Sequence, residues 1–158
     1  IDESRLSGVE TADLSVRQQH YRNELSGKRV LVAEDNKVNQ MVIQGMLKKA
    51  GISVDVVENG KLAYEKITKH GLRYDCILMD WEMPEMDGIT AARKILAWER
   101  SNQKPVSLIV ALTAHVLSDY EAQAMEVGMK GFLKKPIDQD ALFQNLILLL
   151  KEQQTQQQ

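Results

Sequence analysis

Glu34-Asp35-Asn36, Asp80, Thr113 and Lys134-Lys135-Pro136 each follow a short apolar run, and together they hold three carboxylates, a hydroxyl and two ammonium groups, at least one of which falls on the same edge. Three carboxylates brought together repel one another, and without a partner at least one tends to keep its proton. A hard divalent cation resolves that conflict with oxygen ligands. Mg²⁺ suits one or two carboxylates completed by water or phosphate oxygens. A lysine can pair with a phosphoryl oxygen, and a threonine hydroxyl can donate to another. With charge so compensated, a carboxylate such as Asp80 can attack phosphorus as a nucleophile. The transfer asks for positioning and charge stabilisation more than for acid–base chemistry. Each residue alone has a plainer reading, because acids at strand ends often cap helices or face solvent. Asp35 and Asn36 could simply cap the helix after them. Only joint placement on one edge favours the chemical reading.

The elements that must provide that edge alternate along the chain. The apolar runs Val30–Ala33, Ile52–Val57, Asp75–Asp80, Val106–Leu112 and Lys130–Leu133 read as strands. Helical spacing of apolar residues predicts helices over Lys37–Ala50, Lys61–Lys69, Gly88–Arg100 and Asp119–Val127, with a last one begun by Asp138 that carries Leu142, Leu146, Leu149 and Leu150. Gly51 closes the first helix, Asn59-Gly60 marks a turn, and Pro84 falls in or just before the first turn of the third. Ser118 and Glu121 have the spacing of a capping box. The result is five βα units, an α/β fold with a five-stranded parallel sheet flanked by five helices on its two faces. In such sheets, ligands bind beyond the carboxyl ends of the strands. Glu34, Asp35, Asp80, Thr113 and Lys135 all fall there. Residues 1–27 are polar and weakly periodic, and read as an interdomain linker; a helix over Ala12–Leu25 would have little to pack against. The Gln-rich tail, residues 152–158, reads as disordered.

The motifs Val32-Ala33-Glu34-Asp35-Asn36, Leu78-Met79-Asp80-Trp81-Glu82-Met83-Pro84, Met86-Asp87-Gly88, Ala111-Leu112-Thr113-Ala114 and Phe132-Leu133-Lys134-Lys135-Pro136 occur in order. Over residues 28–151 the chain thereby resembles the response-regulator receiver domain of two-component signalling, whose fold is the doubly wound, flavodoxin-like (βα)5. Any one motif is weak, but together they are specific. The resemblance implies that Asp80 is the phosphorylated residue and that Asp35 ligates Mg²⁺ directly, with Glu34 acting mostly through water and the Glu82 carbonyl as a further ligand. It implies that Lys135 bridges the acids and the phosphoryl group, while alternation turns Lys134 away. Thr113 would bond the phosphoryl group, and Phe132 would hold the aromatic switch position. Glu34 stands where aspartate is common in the family. His115 and Glu82, two residues beyond Thr113 and Asp80, would tune the lifetime of the phosphorylated state. Asn39 and Thr113-Ala114-His115 make the match most like the C-terminal receiver of a hybrid sensor histidine kinase. A kinase core would then be the phosphodonor and a histidine phosphotransfer protein or domain the acceptor, in a histidine-to-aspartate phosphorelay. The chain's own catalysis would be confined to its phosphorylation and dephosphorylation.

Composition agrees with one globular domain: 158 residues, 44% hydrophobic and 27% charged. The net charge of −2 gives no basic excess that would point to nucleic acid. The single cysteine, Cys76, permits no internal disulfide and fits a reducing, cytoplasmic compartment. No apolar run is long enough to span a membrane, although a parent kinase would be anchored in the inner membrane. The chain opens on Ile1, which reads as a piece of a longer protein. Two rival functions remain. An aspartate-nucleophile phosphohydrolase would want a second aspartate two residues after Asp80, where Glu82 stands. A non-phosphorylated interaction module sharing the fold would not need the intact set of site residues.

Overall fold

The computed structural model describes residues 15–114 and 118–157. Helix α1 covers residues 15–25. There follow β1 (Arg29–Ala33), α2 (Lys37–Lys49), β2 (Ser53–Val57), α3 (Gly60–Thr68), β3 (Cys76–Asp80), α4 (Gly88–Ser101), β4 (Ile109–Thr113), α5 (Ser118–Val127), β5 (Gly131–Lys134) and α6 (Gln139–Gln157). All five strands are parallel, in the order β2-β1-β3-β4-β5. The order reverses between β1 and β3, and that crevice is where such sheets take ligands.

Alternation along each strand separates two cores. Val30, Val32, Cys76, Leu78, Val110, Leu112 and Leu133 face one side of the sheet, where they meet residues of α1, α2 and α6. Leu31, Ala33, Ile77, Met79, Ile109 and Ala111 face the other side, under α3, α4 and α5. Central strands β3 and β4 are buried along their whole length, as a sheet covered on both faces requires.

The helices start where their first polar residues dictate. Asn36, Asn59 and Asp87 each accept a hydrogen bond from the backbone N–H three residues on, at 3.0, 2.9 and 2.8 Å. Asp138 does the same for α6, accepting from the Ala141 N–H at 2.9 Å. Pro84 lies in the loop before α4, not in its first turn. Gly88 is required by a close approach, since a Cβ there would lie 2.1 Å from the Asp80 carbonyl oxygen. The side chain of Ser118, and with it the expected capping pair with Glu121, lies outside the described residues.

Three sequence expectations change. The sheet is flanked by six helical segments among the described residues, not five. The extra one, α1, was expected to find little to pack against, yet Tyr21 and Leu25 are buried in the core with Leu142, Phe143 and Leu146. The physical reason is that Tyr21 and Leu25 fall on one face of this polar segment, four residues apart, and that face meets α6. Finally, residues 152–157 continue α6 instead of forming a disordered tail.

Candidate functional site

The alternation that divides the cores also assembles the site. Glu34, Asp80 and Lys135 each extend the parity of a strand facing α2 and α6: Val30 and Val32, Cys76 and Leu78, and Leu133 respectively. They therefore meet at one corner of the sheet edge. The Lys135 ammonium lies 3.0 Å from Glu34 Oε1 and 3.0 Å from Asp80 Oδ1. Lys134, opposite in parity, is exposed. Lys135 is held by its own backbone N–H, which donates to the Thr113 carbonyl at 2.7 Å.

Glu34 is fully buried and Asp80 nearly so. Asn39 Nδ2 donates to Glu34 Oε1 at 2.6 Å, and Gln40 Nε2 donates to the Glu34 carbonyl at 2.6 Å. Asn36, Asn39 and Gln40 share one face of the first turn of α2. Asn39 and Gln40 fix Glu34; the sequence motifs included Asn39 but gave it no contact with Glu34, and they did not include Gln40. The usable signal was their three- and four-residue spacing from the cap.

Carboxylate oxygens of Glu34, Asp35 and Asp80 lie within 4.8 Å of one another. Burying Glu34 and Asp80 side by side has consequences for both. Burial, followed by the hydrogen bond it shares with Glu34, pushes the Asp80 carboxyl up from 3.8 to about 7. Burial also opposes the charge on Glu34, but hydrogen bonds with Asp80, Lys135 and Asn39 outweigh it and hold Glu34 below the usual range. For Lys135 burial disfavours the ammonium, and the two carboxylates more than compensate, so its pKa is raised. The Glu34–Asp80 pair thus takes up a proton more readily than two free carboxylates would, with Asp80 the member whose pKa is raised. This is the chemistry of a donor set that fits a hard divalent cation, because such an ion can replace that proton.

The three acids line an open cleft of about 280 Å³ together with Trp81, Thr113 and Lys135, and Glu82 and Ala114 border it. Thr113 is buried at the end of β4, while the Glu82 side chain is exposed. Phe132 is half-buried on β5, two strands away from Asp80. Its ring packs edge-on to Trp81 at 6.4 Å between centroids, and Trp81 packs edge-on to Tyr120 of α5 at 5.1 Å. His115 lies outside the described residues. Among the described residues no helix is long and apolar enough to cross a membrane.

The pattern of the response regulator receiver domain matches residues 30–147. Hybrid signal transduction histidine kinase L of Dictyostelium discoideum is 38% identical over 121 residues, covering 76% of this chain and 7% of that protein. The curated relatives are much longer, and this chain spans 5% to 15% of their lengths. Among solved structures, the receiver domain of a sensor histidine kinase of Pseudomonas aeruginosa, with magnesium coordinated in its active-site cleft, is 36% identical. It superposes with a TM-score of 0.70 over 80% of this chain and 99% of that one. A Saccharomyces cerevisiae complex between a histidine phosphotransfer signaling protein and the receiver domain of its downstream response regulator gives a TM-score of 0.71 at 31% identity, covering 77% of this chain and 88% of that one. The sheet order, the cleft at its switch point and the matched pattern agree, and this chain belongs to the response regulator receiver domain family, with similarity to the receivers carried by hybrid histidine kinases.

Proposed function

We propose that this chain accepts a phosphoryl group on Asp80 as one step of a histidine-to-aspartate relay within a hybrid sensor histidine kinase. The observation that carries this reading is the Lys135 ammonium held 3.0 Å from Glu34 and 3.0 Å from Asp80 at the rim of an acidic cleft. Asp35, Asp80 and the Glu82 carbonyl would hold Mg²⁺, with Glu34 acting through water. Bound there, the ion neutralises the acidic cluster and orients phosphoryl oxygens.

The remaining work falls to side chains of this chain. An Asp80 carboxylate oxygen forms the new bond to phosphorus as the bond to the donor's histidine nitrogen breaks, and that nitrogen leaves with its electron pair. Lys135 pairs with one phosphoryl oxygen, and the Thr113 hydroxyl donates to another. Drawing Thr113 toward the phosphoryl group alters the space beside Phe132, whose contact with Trp81 then changes. That two-state shift is sized by how much better the phosphoryl group fits one state than the other. Glu82 and His115, two residues beyond Asp80 and Thr113 in sequence, tune the lifetime of the phosphorylated state. The chain works in the cytoplasm, and its parent kinase is anchored in the inner membrane.

The partner side of the reading has its own support. Val38, Met41 and Val42 are exposed on α2, which begins at the cleft. An apolar patch beside a reactive carboxylate suits a helical protein that presents a phosphohistidine. The kinase core is the donor and a histidine phosphotransfer protein the acceptor. The test is transfer from this chain, labelled with acetyl phosphate, to a histidine phosphotransfer protein. Met41→Glu should slow that transfer at least ten-fold while leaving labelling by acetyl phosphate unchanged. Equal slowing of both reactions, or of neither, contradicts the docking face.

A further inference from the structure

We infer that helix α1 is a built-in relay arm, which couples the state of the Asp80 cleft to whatever chain segment precedes residue 15. The inference rests on the phospho-accepting reading above and extends it to a route out of the domain.

Helix α1 is seated, not merely adjacent. Tyr21 and Leu25 are buried against α6, with the Tyr21 and Phe143 ring centroids 5.0 Å apart. Polar contacts fix the seat at three places. At the first, the Tyr21 hydroxyl donates to Asp140 Oδ1 at 3.0 Å and Arg17 donates to Asp140 Oδ2 at 3.2 Å. At the second, Arg22 donates to the Lys49 carbonyl at 2.9 Å, at the end of α2. At the third, Lys151 pairs with Glu24 at 3.8 Å. The turn after α1 is also tied down, because the Gly27 N–H donates to the Gly51 carbonyl at 3.0 Å.

The position of Asp140 gives this seat its meaning. It lies in the first turn of α6, five residues after Lys135. The intervening stretch is short and fastened at both ends, by the Lys135 N–H to Thr113 and by the Asp138 cap on Ala141. Lys135 exchanges a carboxylate partner for a phosphoryl oxygen when Asp80 is modified. A shift of that stretch moves the first turn of α6, and Asp140 transmits it to Tyr21 and Arg17. Both ends of α2 also bear on the assembly, with Asn39 at the cleft and the Lys49 carbonyl under Arg22. Coupling of this kind is reciprocal, so a pull on α1 must change the affinity of the cleft for its ligand.

The experiment follows backbone amide signals of the whole chain as beryllofluoride and Mg²⁺ are added. The expected result is that signals of Tyr21 and Leu25 move together with those of Asp80 and Thr113. In Asp140→Ala the movement at α1 falls by at least half while that at Asp80 persists, and beryllofluoride affinity changes by roughly two- to five-fold. Tyr21→Phe, which removes only the hydroxyl, should show the same effect in milder form and guards against a variant that fails to fold. Movement at Asp80 and Thr113 with silence at α1 overturns the relay alone. Silence at both places overturns the phospho-accepting reading, and the relay with it.

Discussion

Asp80 and Glu34 share a buried corner with one ammonium, so the charge balance of that corner depends on pH. A carboxyl raised to about 7 in the folded protein, against 3.8 when free, favours the folded state at low pH. That contribution is complete below pH 3.8 and is lost as pH rises through about 7. Above neutrality the metal-free corner therefore carries two carboxylate charges, on Glu34 and Asp80, against the single Lys135 ammonium. Asp80→Asn is expected to raise the thermal midpoint of the metal-free protein at pH 8 and to change it little at pH 5. At the proposed site Mg²⁺ would displace the Asp80 proton, so its apparent affinity is expected to fall as pH drops below about 7, and calorimetry in buffers of different ionisation heat is expected to show proton release on binding. An Mg²⁺ affinity that is flat between pH 5.5 and 8 would contradict this account.

The placement of these residues was legible because it follows from parity and strand ends. Glu34, Asp80 and Lys135 each continue one face of a strand, and alternation alone separates Lys135 from Lys134. Other partnerships were not legible, since nothing local encodes them. Glu99 is fully buried on α4, where Ser107 donates to it from its N–H at 2.9 Å and from its hydroxyl at 2.5 Å. Tyr21 and Asp140 are 119 residues apart.

At the scale of elements, the loop between β3 and α4 must hold Glu82 beside Asp80, and a tight approach of two backbones sets its path. The Gly88 N–H donates to the Trp81 carbonyl at 3.0 Å, and Asp87 caps α4. This gives the Met86-Asp87-Gly88 motif a physical cause: one residue starts the helix and the next lets it touch the strand. Gly88→Ala forces its methyl group against the Asp80 carbonyl. It is expected to cost roughly 1–3 kcal/mol, as overpacking does, measured by urea unfolding, and to weaken binding at the proposed Mg²⁺ site, to which the Glu82 carbonyl would contribute. Wild-type stability and Mg²⁺ affinity in that variant would refute the tight approach. Strand and helix limits were readable to within a few residues because apolar period and capping residues agree. Helix α1 was not, because its two buried residues are too few to stand out as a periodic pattern.

Across the whole molecule, the sheet separates two cores, and α1 completes the one beneath α2 and α6. Fully burying a large apolar side chain contributes roughly 1.5–3 kcal/mol. A chain beginning at Ser26 should therefore lose about 3–6 kcal/mol with Tyr21 and Leu25, seen as a lower urea midpoint. Unchanged stability would mean that α1 is an appendage and not part of the domain.

The central claim is that Asp80 takes the phosphoryl group with help from a divalent ion held by its acidic neighbours. Its most direct test is intact-mass and peptide analysis after treatment with acetyl phosphate, with and without Mg²⁺. The account predicts one added phosphoryl group, mapped to Asp80, dependent on Mg²⁺ and absent from Asp80→Asn. Unmodified wild-type protein, or modification that persists in Asp80→Asn, would contradict it.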